Sequence, residues 1–421
     1  MRRPGTDRTD RTDRTDRTRT RTRTRTRTRT RTHRLRRSAA WLITLMLALA
    51  ATMTAGGPVQ AAAGAGPHAR TGRASAATVD LSRWMGDMRG YLDDQPLNRI
   101  AMPGSHDSGS WSIPADPGLC TSGWSYNVAK LDPKLAASIS RTQSGSLTDQ
   151  LDQGARYLDL RLCFEGGQWR TFHGAPMGGL FFDATTGEAA SVKRWIDAHP
   201  SEVVVINVSA AVPAGADASE PLTRLHDLLG SRVAERTELS PTSPYGDFVK
   251  AGKNVVLVDS SAGLDQPWAW HSDSVSDRGS YPAGDPSWWE ILKAFLSGSP
   301  PQRIYDQTLT LNQAALARDP GADGDRFFVL SSIVQPDLQI PQLFLIRLLS
   351  PFFPASVRDN YLMHLANGLN PQLVGKLTTD WRAPGLARNM NVVAIDDLGH
   401  RPQGDLQRAV IDINTLPGRT P

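Results

Sequence analysis

Cysteine is nearly absent from this chain of 421 residues, with only Cys120 and Cys163 present. Two cysteines cannot build a four-ligand structural zinc site without histidine partners, and no such spacing occurs. A Gly-x-Ser-x-Gly element is also missing, which excludes the usual strand–turn–helix serine nucleophile. The apolar run 39–53 is shorter than the about 20 residues a membrane-spanning helix needs. Cations are scarce where nucleic acid would require them. The overall balance is +5, but residues 1–63 carry 16 Arg and 4 Asp, so the remainder carries a net −7. An acidic body argues against nucleic acid as a partner, because that affinity rests on many phosphate-neutralising cations.

The excess arginine lies in a low-complexity leader, where Asp-Arg-Thr repeats over 7–18 and Arg-Thr continues to Thr32. Such a tract has nothing to bury and predicts disorder. An RNA-binding arm is one reading. An overlong n-region or a start codon placed too early is favoured, because a secretory pattern follows. Arg36-Arg37 precedes an apolar segment of about 15 residues and then a small-residue exit. Cleavage is expected near 61–63, and the paired arginines partly match a twin-arginine signal. The expected organisation is a leader and signal over 1–63, an Ala/Gly/Ser linker over 64–78 and one catalytic domain over 79–416. The expected location is therefore extracellular. In an oxidising space a Cys120–Cys163 disulfide is plausible, with two buried thiols as the alternative.

Past residue 79, short β-branched or Leu-rich runs predict strands at 99–102, 156–162, 171–173, 203–208, 255–258, 327–330 and 392–395. Helical stretches separate them. In 191–199, Val192, Trp195 and Ile196 recur at i, i+3, i+4 before Pro200. This alternation predicts an α/β barrel or a doubly wound sheet. In Tyr157-Leu158-Asp159-Leu160-Arg161-Leu162 the period of two is strict. The leucines share one face, and Tyr157, Asp159 and Arg161 share the other. Burying those charges unpaired would cost several kcal/mol each, so they suit the wall of a site. An Asp159–Arg161 contact with a purely structural role is the alternative. His106 after one strand, Asn207 and Ser209 after another, and Asp396 after a third place polar groups at C-terminal strand ends, where barrel enzymes build sites.

Three segments carry the chemistry: Met102-Pro103-Gly104-Ser105-His106-Asp107-Ser108, then 150–161 from Gln150 to Arg161, then Phe172-His173-Gly174. In this order and spacing they resemble the catalytic X domain of bacterial phosphatidylinositol-specific phospholipases C. The resemblance covers 98–209 well and the strand before Asp396 moderately. It implies a distorted TIM barrel. It also implies cleavage of the glycerol–phosphate bond by the inositol 2-hydroxyl, giving diacylglycerol and a cyclic phosphate. By matched position His106 would be the general base and His173 the general acid. Asp396 would orient His106, and Asp107 would orient His173. Arg161 would bind the phosphate, with Asp159 beside it and Asn207 and Ser209 as substrate contacts. The expected arrangement is two imidazoles facing across a cavity, each backed by an acid, with the guanidinium between them. Histidine suits both proton roles near neutral pH, and a fixed guanidinium stabilises phosphoryl charge.

The animal-type members hold calcium through carboxylates. The matched positions here are Asp107, Asp159, Arg161 and Ser209, and a guanidinium repels a cation that wants 6–8 oxygen ligands. No metal and no cofactor are expected. The headgroup stays open, because the family's Lys aligns with Ser209 and its Arg with Asp259-Ser260, and its aromatic beyond an Asp falls in 331–337. Inositol, another lipid headgroup and a soluble glycerophosphodiester all remain possible substrates. The expected partner is phospholipid at a membrane surface, met by a monomer. The apolar stretch 342–353, Trp288-Trp289 and the Trp268/Trp270 pair suit either core packing or membrane entry. His199, His226, His271, His364 and His400 have no motif and read as structural or surface residues. The competing readings are a metal-dependent glycerophosphodiesterase or sphingomyelinase D-like enzyme, and a non-catalytic secreted lipid-binding protein.

Overall fold

Ten strands form in the computed structural model, which describes residues 78–419 except 262–265, 273–274, 278–292, 294–295, 299–301, 319–323, 335–345 and 400–403. The leader, the signal segment, nearly all of the linker, Trp288-Trp289, the start of 342–353 and His400 lie outside the described residues. The strands are β1 (Met102–Ser105), β2 (Tyr157–Glu165), β3 (Gln168–Phe172), β4 (Met177–Leu180), β5 (Val204–Ala211), β6 (Val255–Asp259), β7 (Trp270–His271), β8 (Val275–Asp277), β9 (Phe327–Ser331) and β10 (Val392–Ile395). Eight of them run parallel in the order β7-β6-β5-β2-β1-β10-β9-β8. This is a nearly closed barrel: among the described residues no pairing joins β7 to β8. β3 and β4 are an antiparallel excursion from the end of β2.

The alternation read from the sequence sets the two faces. Leu158, Leu160 and Leu162 point outward and pack with Val192, Trp195 and Ile196 of the helix Glu188–Ala198. Tyr157, Val205, Val256, Val258, Phe327, Val329, Val392 and Ala394 point inward and form a second apolar cluster with Trp84, Met85 and Met88. The lower barrel is thus a packed core closed by the N-terminal segment, and polar residues follow on the same faces toward the C-terminal ends. Arg156 anchors that floor. Its buried guanidinium pairs with Glu202 and lies between the rings of Trp84 and Trp195.

One expectation changes here, and one open choice is decided. The first strand does not run over 99–102: Leu97–Arg99 is a 3₁₀ turn and β1 begins at Met102. Pro103 and Gly104, residues that usually break strands, lie inside β1. Gly104 faces the barrel axis, where a Cβ would come within 2.6 Å of Val392, so tight closure of the barrel calls for glycine there. Of the two readings open for Trp268 and Trp270, core packing is the one observed. Trp270 is buried and donates to the Ala234 carbonyl at 2.7 Å, and Trp268 packs on His226.

Cys120 and Cys163 form a disulfide across 43 residues, with Cα atoms 6.2 Å apart. It ties the long loop after β1 to β2, the strand that carries Arg161. Closing a loop of this length is worth about 4 kcal/mol in the chain-entropy model. Reducing the bond, or the double change Cys120→Ala/Cys163→Ala, is expected to lower unfolding stability by about 2–4 kcal/mol. Denaturant titration of the oxidised and reduced forms reads the difference, and coincident curves would contradict it.

Candidate active site

The site collects at the C-terminal mouth of β1, β2, β3 and β10. His106 follows β1 directly, and its Nδ1 lies 2.7 Å from Asp396 Oδ1, just past β10. Asp107 comes next and takes a left-handed conformation, φ 43°. Aspartate tolerates this region better than most residues, and the cost is of order 1–3 kcal/mol. The turn points the carboxylate inward, where the side chain has no solvent exposure. Its Oδ2 lies 3.2 Å from His106 Nε2 and 3.0 Å from His173 Nε2. Its Oδ1 pairs with Arg161 Nε. The group standing between the two imidazoles is therefore a carboxylate, not the guanidinium expected from sequence. Arg161 reaches that carboxylate from the other side, and its NH2 group also meets Asp159 at 2.9 Å and His106 Nε2 at 3.4 Å.

The two imidazole rings are 6.1 Å apart and nearly perpendicular, at 81°. His173 follows β3, and its Nδ1 lies 2.8 Å from the Ser140 carbonyl. A carbonyl only accepts, so Nδ1 carries a proton and Nε2 is the atom that faces the site. Gly174 then turns the chain at φ +70°, and a Cβ there would meet Ser125 Oγ at 2.7 Å.

Electrostatics follow from this packing. Burial pushes the His106 imidazole down, but the carboxylates of Asp107 and Asp396 outweigh it and raise it to about 9 against the opposition of Arg161. Burial pushes Asp107 up, but Arg161, His106 and His173 override it and hold its carboxyl well below the usual carboxylate range. His106 has two accessible states. When charged, it directs one N–H to Asp396 and the other toward Asp107. When neutral, it keeps Nδ1–H on Asp396 and offers a lone pair at Nε2, toward which the Arg161 NH2 group can donate.

A cavity of about 230 Å³ opens beside His106 and Arg161. Its wall includes Asp159 and Asn207, as read from sequence. It also includes Tyr157, Ser260, Ser272 and Ser331, which sequence reading did not assign to the site. Asn207 accepts a hydrogen bond from the Ser260 hydroxyl. Ser209 stands beside Arg161 in the β2–β5 register and is not among the lining residues.

His106, Asp107 and Asp159 place potential ligand atoms within 4.8 Å of one another. Arg161 already bonds both of those carboxylates. A divalent ion there would face a guanidinium and find few oxygens, so the donor set does not fit calcium. Sequence reading also missed the supports of the turn at 105–108. Gln150 accepts from the Ser105 hydroxyl and donates to the Ser108 and Gly145 carbonyls. Asn370 donates to the Asp396 carbonyl. Both are buried amides; Gln150 opens the 150–161 segment without a role read from it, and Asn370 lies outside every motif.

The barrel is similar in fold to solved phospholipase C structures. No protein-family model matches the chain. Over 136 residues it is 34% identical to PI-PLC X domain-containing protein 1 of Danio rerio, covering 30% of this chain and 43% of that protein. The Mus musculus protein of the same description is 30% identical over 151 residues, covering 33% and 43%. The chain thus spans less than half the length of these curated relatives. Among solved structures, phosphatidylinositol-specific phospholipase C from S. aureus superposes with TM-score 0.52 at 17% identity, covering 81% of this chain and 99% of that one. A double mutant of that enzyme gives TM-score 0.51 at 16% identity, covering 82% and 100%. The likeness is to this phospholipase C group at large and not to its bacterial members in particular, since the sequence relatives above are eukaryotic.

The His106–Asp396 contact has a measurable consequence. By NMR, the His106 imidazole is expected to titrate near 9, the direction set by its two carboxylate neighbours. Asp396→Asn removes one of those charges and is expected to move that titration down by about one unit or more. An unchanged titration in the variant would refute the assigned contact.

Proposed function

We propose that this protein is a secreted phosphodiesterase that cleaves the headgroup of a phospholipid, with phosphatidylinositol as the reference substrate. The reading rests on one observation: His106 and His173 share the buried Asp107 at the mouth of a barrel, with Asp396 behind His106 and Arg161 alongside. In the proposed reaction Arg161 binds a non-bridging phosphate oxygen and neutralises charge that grows at phosphorus. Neutral His106 Nε2 takes the proton of a headgroup hydroxyl, and that oxygen forms a new bond to phosphorus. The bond from phosphorus to the glycerol oxygen breaks. His173 Nε2–H protonates the leaving alkoxide. The products are diacylglycerol and a cyclic phosphodiester, and an internal nucleophile avoids much of the entropic barrier.

The cavity wall supports a hydroxylated headgroup. Its lining offers three serine hydroxyls and the Asn207 amide, with Arg161 beside His106 at one end. Exposed apolar side chains support action at a lipid surface. Trp124 is 75% exposed and flanks the turn at Gly174. Leu348 and Phe352, within the described part of 342–353, are 70% and 71% exposed, whereas Ile346 and Phe353 are buried. Arg347 donates to the Leu131 carbonyl and pairs with Asp132, which brings this segment alongside the turn that follows the helix Tyr126–Ala129, the helix that Trp124 precedes. The disulfide suits an exported protein.

Incubation of residues 79–421 with a phospholipid panel in EDTA, followed by phosphorus NMR, tests the assignment. Diacylglycerol and a cyclic phosphate are expected, with His106→Ala and His173→Ala each slower by about 10²–10⁴-fold. Activity lost in EDTA and restored by calcium or magnesium would instead support the metal-dependent alternative. Equal lipid binding by His106→Ala and wild type, with turnover from neither, would support a binding protein. Because kcat/KM reports the free enzyme, it is expected to rise with pH toward about 9 as His106 loses its proton. A profile falling over that range would contradict its role as base. Trp124→Ala is expected to slow turnover on vesicles and leave a soluble substrate unaffected.

A further inference from the structure

The ladder between β1 and β10 ends at the pair Ser105↔Ile395. His106 and Asp396 are the next residue on each strand. Beyond that point one backbone bond remains, from His106 N–H to the Ile395 carbonyl at 3.1 Å. Strand ends of this kind leave carbonyls that must find donors elsewhere.

Gln143 supplies them. Its side chain is 1% exposed. Nε2 donates to the His106 carbonyl at 2.9 Å and to the Ile395 carbonyl at 2.9 Å. Oε1 accepts from the Leu398 N–H at 3.1 Å. A planar carboxamide has two donors and an acceptor in one fork, and here all three positions are used. Gln143 does not line the cavity. Its neighbours reinforce the arrangement. The Thr142 hydroxyl donates to the His106 carbonyl at 3.0 Å, and the Thr142 carbonyl accepts from Asp397 N–H at 2.6 Å. The Ser144 hydroxyl donates to Asp397 at 2.7 Å. Two residues before Thr142, the Ser140 carbonyl takes the Nδ1 proton of His173.

We propose that Gln143 is a positioning residue that extends the β1–β10 pairing by one side chain and so sets His106 against Asp396. The inference builds on the reading of His106 as the general base. His106 is faced directly by Asp107, Asp396 and Arg161, with Asp159 bonded to that guanidinium and His173 on the far side of Asp107. Of these groups, Asp396 belongs to the strand that Gln143 ties to β1. Loosening Gln143 therefore weakens one specific contact.

Gln143→Leu removes all three hydrogen bonds at similar volume. NMR titration of His106, identified by the resonance missing from His106→Gln, is expected to fall by about one unit toward the ordinary histidine value. On the cleaved phospholipid, kcat is expected to drop about 10–100-fold with KM little changed, because a small misplacement of a reacting group carries a cost of that size. Thr142→Val, which removes one donor to the same carbonyl, is expected to shift both readouts the same way by less, and is read in its place should Gln143→Leu not fold. A folded variant whose His106 titration and kcat match wild type overturns the proposal, even if its melting temperature falls. Absence of turnover by wild type on every phosphodiester refutes the functional reading instead, and the titration then decides the positioning role alone.

Discussion

The Asp107 carboxylate has no contact with water and is met by His106, His173 and Arg161. A buried carboxylate is tolerable only when it is paired, and here β1, β2 and β3 bring His106, Arg161 and His173 to it. Removing one partner of a buried pair typically costs about 3–5 kcal/mol, because the other charge is left behind. The left-handed turn at Asp107 is held by the same contacts, together with its N–H facing Asp159 at 3.3 Å. Charge balance in the site and the path of the chain through it are therefore one constraint. That constraint also fixes the two imidazole rings 6.1 Å apart, one on each side of the carboxylate.

Around this centre the molecule uses buried amides in a consistent way. Gln143 and Gln150 satisfy carbonyls and hydroxyls at the upper end of β1. At the lower end, Asn391 donates to the Leu97 and Ile100 carbonyls and accepts from Phe328 N–H. Asn414 exchanges bonds with both polar groups of the Ala101 backbone. Short strands in a barrel expose many orphan backbone groups at their ends. Each carboxamide settles two or three of them without adding a charge. The result is that backbone groups at both ends of β1 are paired without added charge.

The candidate site and the exposed apolar side chains differ in character. The site is charged and mostly buried, whereas Trp124, Leu348 and Phe352 put apolar area into solvent. Isolated apolar residues on a surface are ordinary. Here Arg347 ties the segment of Leu348 to the turn at 131–132, and Trp124 lies beside the His173 turn.

The alternation in 157–162 and the ends of the apolar runs at 208 and 395 placed Asp159, Arg161, Asn207 and Asp396 at a barrel mouth from sequence alone, because a strand's period of two assigns each side chain to a face. Motif order supplied His106, His173 and Asp107. β7 and β8 were not legible: they are two and three residues long, too short for any periodicity. The start of β1 was misread because the close approach that calls for Gly104 exists only once β10 is beside it. Only the tertiary structure decided that Asp107, not Arg161, stands between the imidazoles, since that depends on a single backbone torsion. It alone decided the roles of Gln143, Gln150 and Asn370 as well. An amide's partners are backbone groups of distant segments, and a one-dimensional pattern carries no record of them.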